Sequence, residues 1–152
     1  MTDKVLDFVK KRKESVEEKR RAFERILFDN LLGVYTVLDN AGSIYPVKLV
    51  DISREGCLFQ IPWNVRGDQK LKKDTEVSLR IYFTKQSYIP IIVKVKYGKE
   101  HLDTNGQMHM QYGASFDKGI KSFVAIQNFI DFLYSFAEYS TFDSGDQKIF
   151  FL

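Results

Sequence analysis

The chain of 152 residues has one cysteine, Cys57, so no disulfide framework and no thiolate-based zinc site can be built from it. Two histidines, His101 and His109, have no cysteine or carboxylate at ligand spacing, and no metal is expected. Three prolines and nine glycines exclude a collagenous or low-complexity chain. No apolar run reaches the roughly 20 residues that a spanning helix needs; the most apolar stretch, Ile120–Ala137, is broken by Lys121, Gln127, Asn128 and Asp131. The opening MTDKVLDFVKKRK has no secretory apolar region and no small-residue cleavage site, which leads us to expect a cytoplasmic protein. A Ser/His/Asp set, a glycine-rich phosphate loop and a paired-carboxylate motif are also missing, so an enzyme is not expected.

What is present is an ordinary soluble composition with many aromatics and an uneven charge. Hydrophobic residues make up 44%, charged residues 28%, and the net charge is +3, below that of a protein built to wrap a nucleic-acid duplex. Residues 10–25, KKRKESVEEKRRAFER, hold eight basic and four acidic side chains, so the basic excess sits in one short segment and the rest is close to neutral. That run fits either a compact anionic ligand or a solvated helix face.

Residues 2–28, without glycine or proline, predict a helix with a weak apolar seam of Leu6, Val9, Val16, Phe23 and Leu27. From about residue 33 the period changes to two, with strands expected over Val34–Asp39, Tyr45–Ser53 and Gly56–Ile61, and a turn at Asn40-Ala-Gly42. Val77, Leu79, Ile81 and Phe83 form one alternation, and Ile89, Ile91, Val93, Val95 and Tyr97 form a second. After the turn signal Asn105-Gly106, Met108, Met110, Tyr112, Ala114 and Phe116 form a third. Short strands with one apolar face each predict a mainly β protein, an antiparallel six-stranded barrel that buries that face and hides its edges. Ile120–Ala137 predicts a helix, apolar on nearly every side and so buried on two. Either the first helix or the tail covers it, or it is a surface for a homodimer or another partner; both readings stay open. The division expected is 1–19 as a helical arm, 20–137 as the barrel with its C-terminal helix, and 138–152 as a tail.

Two clusters stand out: Arg20-Arg21-Ala-Phe-Glu-Arg25, and Asp51-Ile-Ser53-Arg-Glu-Gly56 between the second and third strands. Separately each is common. Arg20, Arg21 and Arg25 fit helix charges paired to Glu17, Glu18 and Glu24, and Asp51 with Gly56 fits a turn. In this order and spacing they resemble the PilZ family, whose signature is an RxxxR cluster followed by [D/N]xSxxG. Gln111-Tyr-Gly113-Ala-Ser-Phe116 is similar to that family's closing strand.

The resemblance covers about residues 20–135 and implies a bacterial receptor for cyclic di-GMP, with Arg20, Arg21, Arg25, Asp51, Ser53 and Gly56 as its site; the place of the arginines at the junction of the helix and the first strand leads us to expect a conformational change passed to a protein partner. Those residue types suit such a ligand. Guanidinium forks pair with phosphates or with guanine O6 and N7. A carboxylate accepts from guanine N–H groups, a short hydroxyl reaches base or phosphate, and glycine allows positive φ and close approach. An Arg pair four apart shares one side of a helical turn; in an extended segment it would ride on an arm. A PilZ-like adaptor without nucleotide binding, and a small barrel binding single-stranded nucleic acid, are the competing readings.

Overall fold

The computed structural model describes residues 2–30, 33–38, 43–63 and 70–141. Its elements are α1 (Thr2–Asn30), β1 (Gly33–Leu38), β2 (Ser43–Ile52), β3 (Gly56–Pro62), β4 (Glu76–Tyr82), β5 (Tyr88–Leu102), β6 (Met108–Phe116) and α2 (Phe123–Tyr139). The expected mainly antiparallel β fold with a helix at each end is present. Neighbouring strands pair antiparallel in the order β1-β2-β3-β6-β5-β4, and β1 pairs with β4 so that the order returns on itself. The Asn40-Ala-Gly42 turn and most of the 138–152 tail lie outside the described residues.

Alternation builds the interior. Val77, Leu79 and Ile81 of β4 face inward, as do Ile91, Val93 and Val95 of β5 and Phe59 of β3. Cys57 joins them as a small buried apolar side chain. Half-buried Trp63 packs on the same cluster. The Asn105-Gly106 turn joins β5 to β6, with Gly106 at φ 81° and Asp103 Oδ1 accepting from the backbone N–H of Asn105 (2.9 Å) and of Gln107 (2.8 Å).

Two expectations need correcting. β5 runs to Leu102, beyond the alternating stretch, because the β5–β6 ladder continues to the Leu102–Met108 pair. The C-terminal helix starts at Phe123 and is fully buried on one side only, through Phe123, Ile126, Ile130, Leu133 and Ala137. Val124 and Tyr139 remain exposed, and Phe132 and Phe136 are only partly covered, because α1 meets the outer face there through Phe23. Among the described residues no helix is long and apolar enough to cross a membrane.

One irregularity matters beyond the core. Leu49 pairs with Phe59 and Asp51 with Leu58, so Val50 is an extra residue in β2. Before it the inward positions are Val47 and Leu49; after it the inward position is Ile52. Because side chains alternate, one inserted residue reverses which face each later residue takes. The uninterrupted period would have aimed Asp51 at the core. The bulge turns it outward, toward α1.

Candidate functional site

The two clusters meet where α1 lies against the end of β2. Arg20 is inside α1 and only 3% exposed. Its Nη1 donates to Glu24 Oε1 (2.5 Å), to Asp51 Oδ1 (3.3 Å) and to the carbonyl oxygen of Ile52, while Nη2 donates to Glu17 Oε2 (2.7 Å). Its Nε has no partner. Arg20 therefore ties the arginine cluster to the strand that carries Asp51, across 31 residues of sequence.

The segment Arg20–Arg25 is helical throughout, part of one helix that runs from Thr2 to Asn30. Arg21 and Arg25 stand one turn apart, both exposed. They line an open cleft of about 620 Å³ together with Lys13, Glu14, Glu17, Glu18 and Ala22. Arg20 does not line that cleft; its guanidinium enters the α1–β2 contact. One of the three cluster arginines is thus joined to Asp51, and two face outward.

The Ser53–Gly56 turn is closed from within. The Ser53 backbone N–H donates to the Gly56 carbonyl oxygen at 2.8 Å, and Ser53 Oγ reaches the same oxygen at 3.3 Å. Gly56 departs from the expectation of positive φ; among the described residues the glycine with that backbone is Gly106. Its role is steric instead. A Cβ at Gly56 would lie 2.0 Å from the Ala114 carbonyl oxygen, so only glycine lets β3 start this close to β6.

Three further residues complete the arrangement. Half-buried Tyr134 of α2 presents its ring to two guanidinium groups, Arg20 at 4.8 Å and Arg54 at 4.1 Å from the ring centroid. Arg54 Nε also lies 3.6 Å from Asp131 Oδ1. Glu24, almost fully buried, has its Oε2 3.5 Å from the backbone N–H of Ile52. Arg54 is internal to the second cluster and carried no separate signal, and Glu24 was legible only as a helix counter-charge to the arginines. Tyr134 lies over 100 residues from Arg20, and a tyrosine in an apolar helix gives no hint of its partners.

The electrostatics follow from one cation serving three carboxylates. Burial works against the charged form of Arg20, but the hydrogen bond to Glu17 and the charges of Glu24 and Glu17 outweigh it and raise its pKa. Glu24 goes the other way. Burial, with Asp51 beside it, pushes its carboxyl up to about 8 despite the pull of Arg20. With a single guanidinium shared, the most buried carboxyl is the one that keeps a proton. Among the described residues no cluster of His, Cys, Asp and Glu could hold a metal ion.

Comparison with known proteins agrees with this architecture. No curated protein matches the chain in sequence. Among solved structures it is similar to MrkH of K. pneumonia in its apo state (TM-score 0.55, 17% identity, 70% of this chain and 48% of that one). It is similar to the MrkH–c-di-GMP complex (TM-score 0.52, 17% identity, 70% and 46%). The PilZ domain of YcgR from Escherichia coli, with c-di-GMP, also resembles it (TM-score 0.52, 12% identity, 70% and 84%). The matched part spans about half the length of the MrkH chains. The model of the PilZ domain matches residues 19–130, from the arginines of α1 into α2, with both clusters inside the match. The chain belongs to the PilZ domain family.

Proposed function

We propose that this protein is a receptor for cyclic di-GMP, and that it carries no catalytic activity of its own. The observation that carries the reading is the junction itself. Arg20 bonds Asp51, with Arg21 and Arg25 exposed on the same helix and Ser53 and Gly56 in the turn that follows. The site comprises Arg20, Arg21, Arg25, Asp51, Ser53 and Gly56. Arg21 and Arg25 supply two forks for phosphate or for guanine O6 and N7. Asp51 is half-exposed and offers its carboxylate to guanine N–H donors. Gly56 serves the site as scaffold, holding the turn against β6.

On this reading residues 20–137 are the binding unit, a PilZ-type barrel closed by six strands, flanked by an arm at 1–19 and a tail at 138–152. The ligand competes with Glu17, Glu24 and Asp51 for Arg20. Releasing Arg20 would loosen α1 from β2 and pass the change to a protein partner or to a second copy through the α1 and α2 surfaces. The energy for that change comes from the difference between the ligand's contacts in the two arrangements.

One observation favours the adaptor reading: the burial of Arg20, whose two Nη atoms are already engaged by four acceptors. Calorimetric titration with cyclic di-GMP separates the two. A receptor gives saturable binding that Arg21→Ala or Arg25→Ala abolishes, and ligand at a hundredfold excess over Kd adds about 2.7 kcal/mol of stability. An adaptor gives neither, and the absence of heat and of any thermal shift would sink the receptor reading.

A further inference from the structure

We propose that the first turns of α1, residues 4–13, dock the protein on an anionic lipid surface. This stands apart from nucleotide binding and uses residues outside the candidate site. Val5, Leu6, Phe8 and Val9 are 62%, 64%, 68% and 43% exposed. At 3.6 residues per turn, Val5 and Val9 lie in phase with Val16, Phe23 and Leu27. Lower down, that side of α1 packs against α2, with Phe23 stacked on Phe136 at 4.1 Å. α2 ends at Tyr139, and contacts near its end reach only as far as Arg12, through Glu138 (2.9 Å), and Lys19, through the Ser140 carbonyl oxygen (3.0 Å). The apolar side of α1 continues past that point with nothing laid over it among the described residues.

Charge decides what fits it. Residues 4–13 carry Lys4, Lys10, Lys11, Arg12 and Lys13 against a single acid, Asp7. A second copy laid on this face would bring like charge to like. A polyanion such as nucleic acid would meet the lysines and leave four apolar side chains in water. An anionic bilayer surface satisfies both: the apolar side enters the headgroup boundary, and the lysines extend their stems along it and keep their ammonium groups at the phosphates. Tyr139, 78% exposed at the end of α2 and next in sequence to the Glu138 that holds Arg12, is an amphipathic ring of the kind found at membrane interfaces.

The test uses the full chain with two sets of vesicles, phosphatidylcholine alone and phosphatidylcholine mixed with phosphatidylserine. Co-sedimentation is expected to favour the anionic vesicles by at least about tenfold and to weaken as salt rises. The double variant L6S/F8S and the double variant K10E/K11E should each lose most of it while melting like the parent, since all four side chains are exposed. The proposal is overturned by equal binding to both vesicle types, by no binding, or by variants that sediment like the parent. It is also overturned if F8S instead abolishes a concentration-dependent dimer, or if an oligonucleotide binds and L6S/F8S leaves that binding unchanged.

Discussion

Arg20 Nη1 and Asp51 Oδ1 stand 3.3 Å apart, and this contact joins the helix that holds the arginines to the strand that holds the acid. The guanidinium is committed before any ligand arrives, to Glu17, Glu24 and the Ile52 carbonyl as well. The consequences can be measured at separate positions.

Glu24 gives the protein a pH-dependent stability. Its folded pKa of about 8 lies above the ordinary value of 4.5, so between those limits the folded protein holds a proton that the unfolded chain has released. The contribution is full below about pH 4.5 and is lost as pH rises through about 8. Urea unfolding of the parent should therefore show stability falling across that window. Glu24→Gln, an isostere of the protonated acid, should flatten the slope. An unchanged slope would show that Glu24 is ionised throughout.

Arg20 and Arg21 should separate stability from binding. Arg20→Ala removes the partner of a buried carboxyl and is expected to cost about 3–5 kcal/mol above pH 8, and less below it, where Glu24 takes a proton. Arg21→Ala removes an exposed side chain and should leave stability within about 0.5 kcal/mol while abolishing cyclic di-GMP binding. Chemical denaturation and calorimetry on the same two variants read both effects.

Gly56→Ala should be among the most damaging small substitutions in the chain. Its methyl would meet the Ala114 carbonyl oxygen at 2.0 Å, backbone against backbone, so β3 and β6 must part. A loss of about 3 kcal/mol or more is expected, close to the large end for single mutations. A melting temperature near that of the parent would show that the strands yield at little cost.

Tyr134→Leu keeps the apolar bulk of α2 but removes the ring that faces Arg20 and Arg54. Two cation–π contacts, one from buried Arg20 and one from exposed Arg54, are worth about 1–2 kcal/mol together. Arg54→Ala alone should cost less, and a double-mutant cycle with Tyr134→Leu isolates the pair. Additive losses would mean that the ring and Arg54 do not interact.

The strands and helices were largely legible from the sequence, because each rests on a periodicity that burial imposes: Val77, Leu79 and Ile81 alternate because the interior takes every second side chain. The paired clusters were legible as a spacing. The bond between Arg20 and Asp51 was not, nor was the split that sends Arg20 inward and Arg21 outward. Those depend on how α1 rotates over β2, and a helix with so weak an apolar seam carries little record of its rotation. Glu24 could be named as a counter-charge to the arginines, but not as the buried, protonated member of the group. The even apolar character of α2 predicted cover on two sides. The structure covers one fully and the other in part, because apolar content counts residues and says nothing of what is available to pack on them.

The extra residue at Val50 divides β2 into two independent stretches. Upstream of it, side chains answer to the interior; downstream, the acid answers to the arginine helix. The interior half can thus be repacked by substitution without re-aiming the carboxylate. Deleting Val50 itself would leave Leu49 inward, Asp51 outward and Ile52 inward in plain alternation, so the strand carries its extra residue without re-aiming the acid.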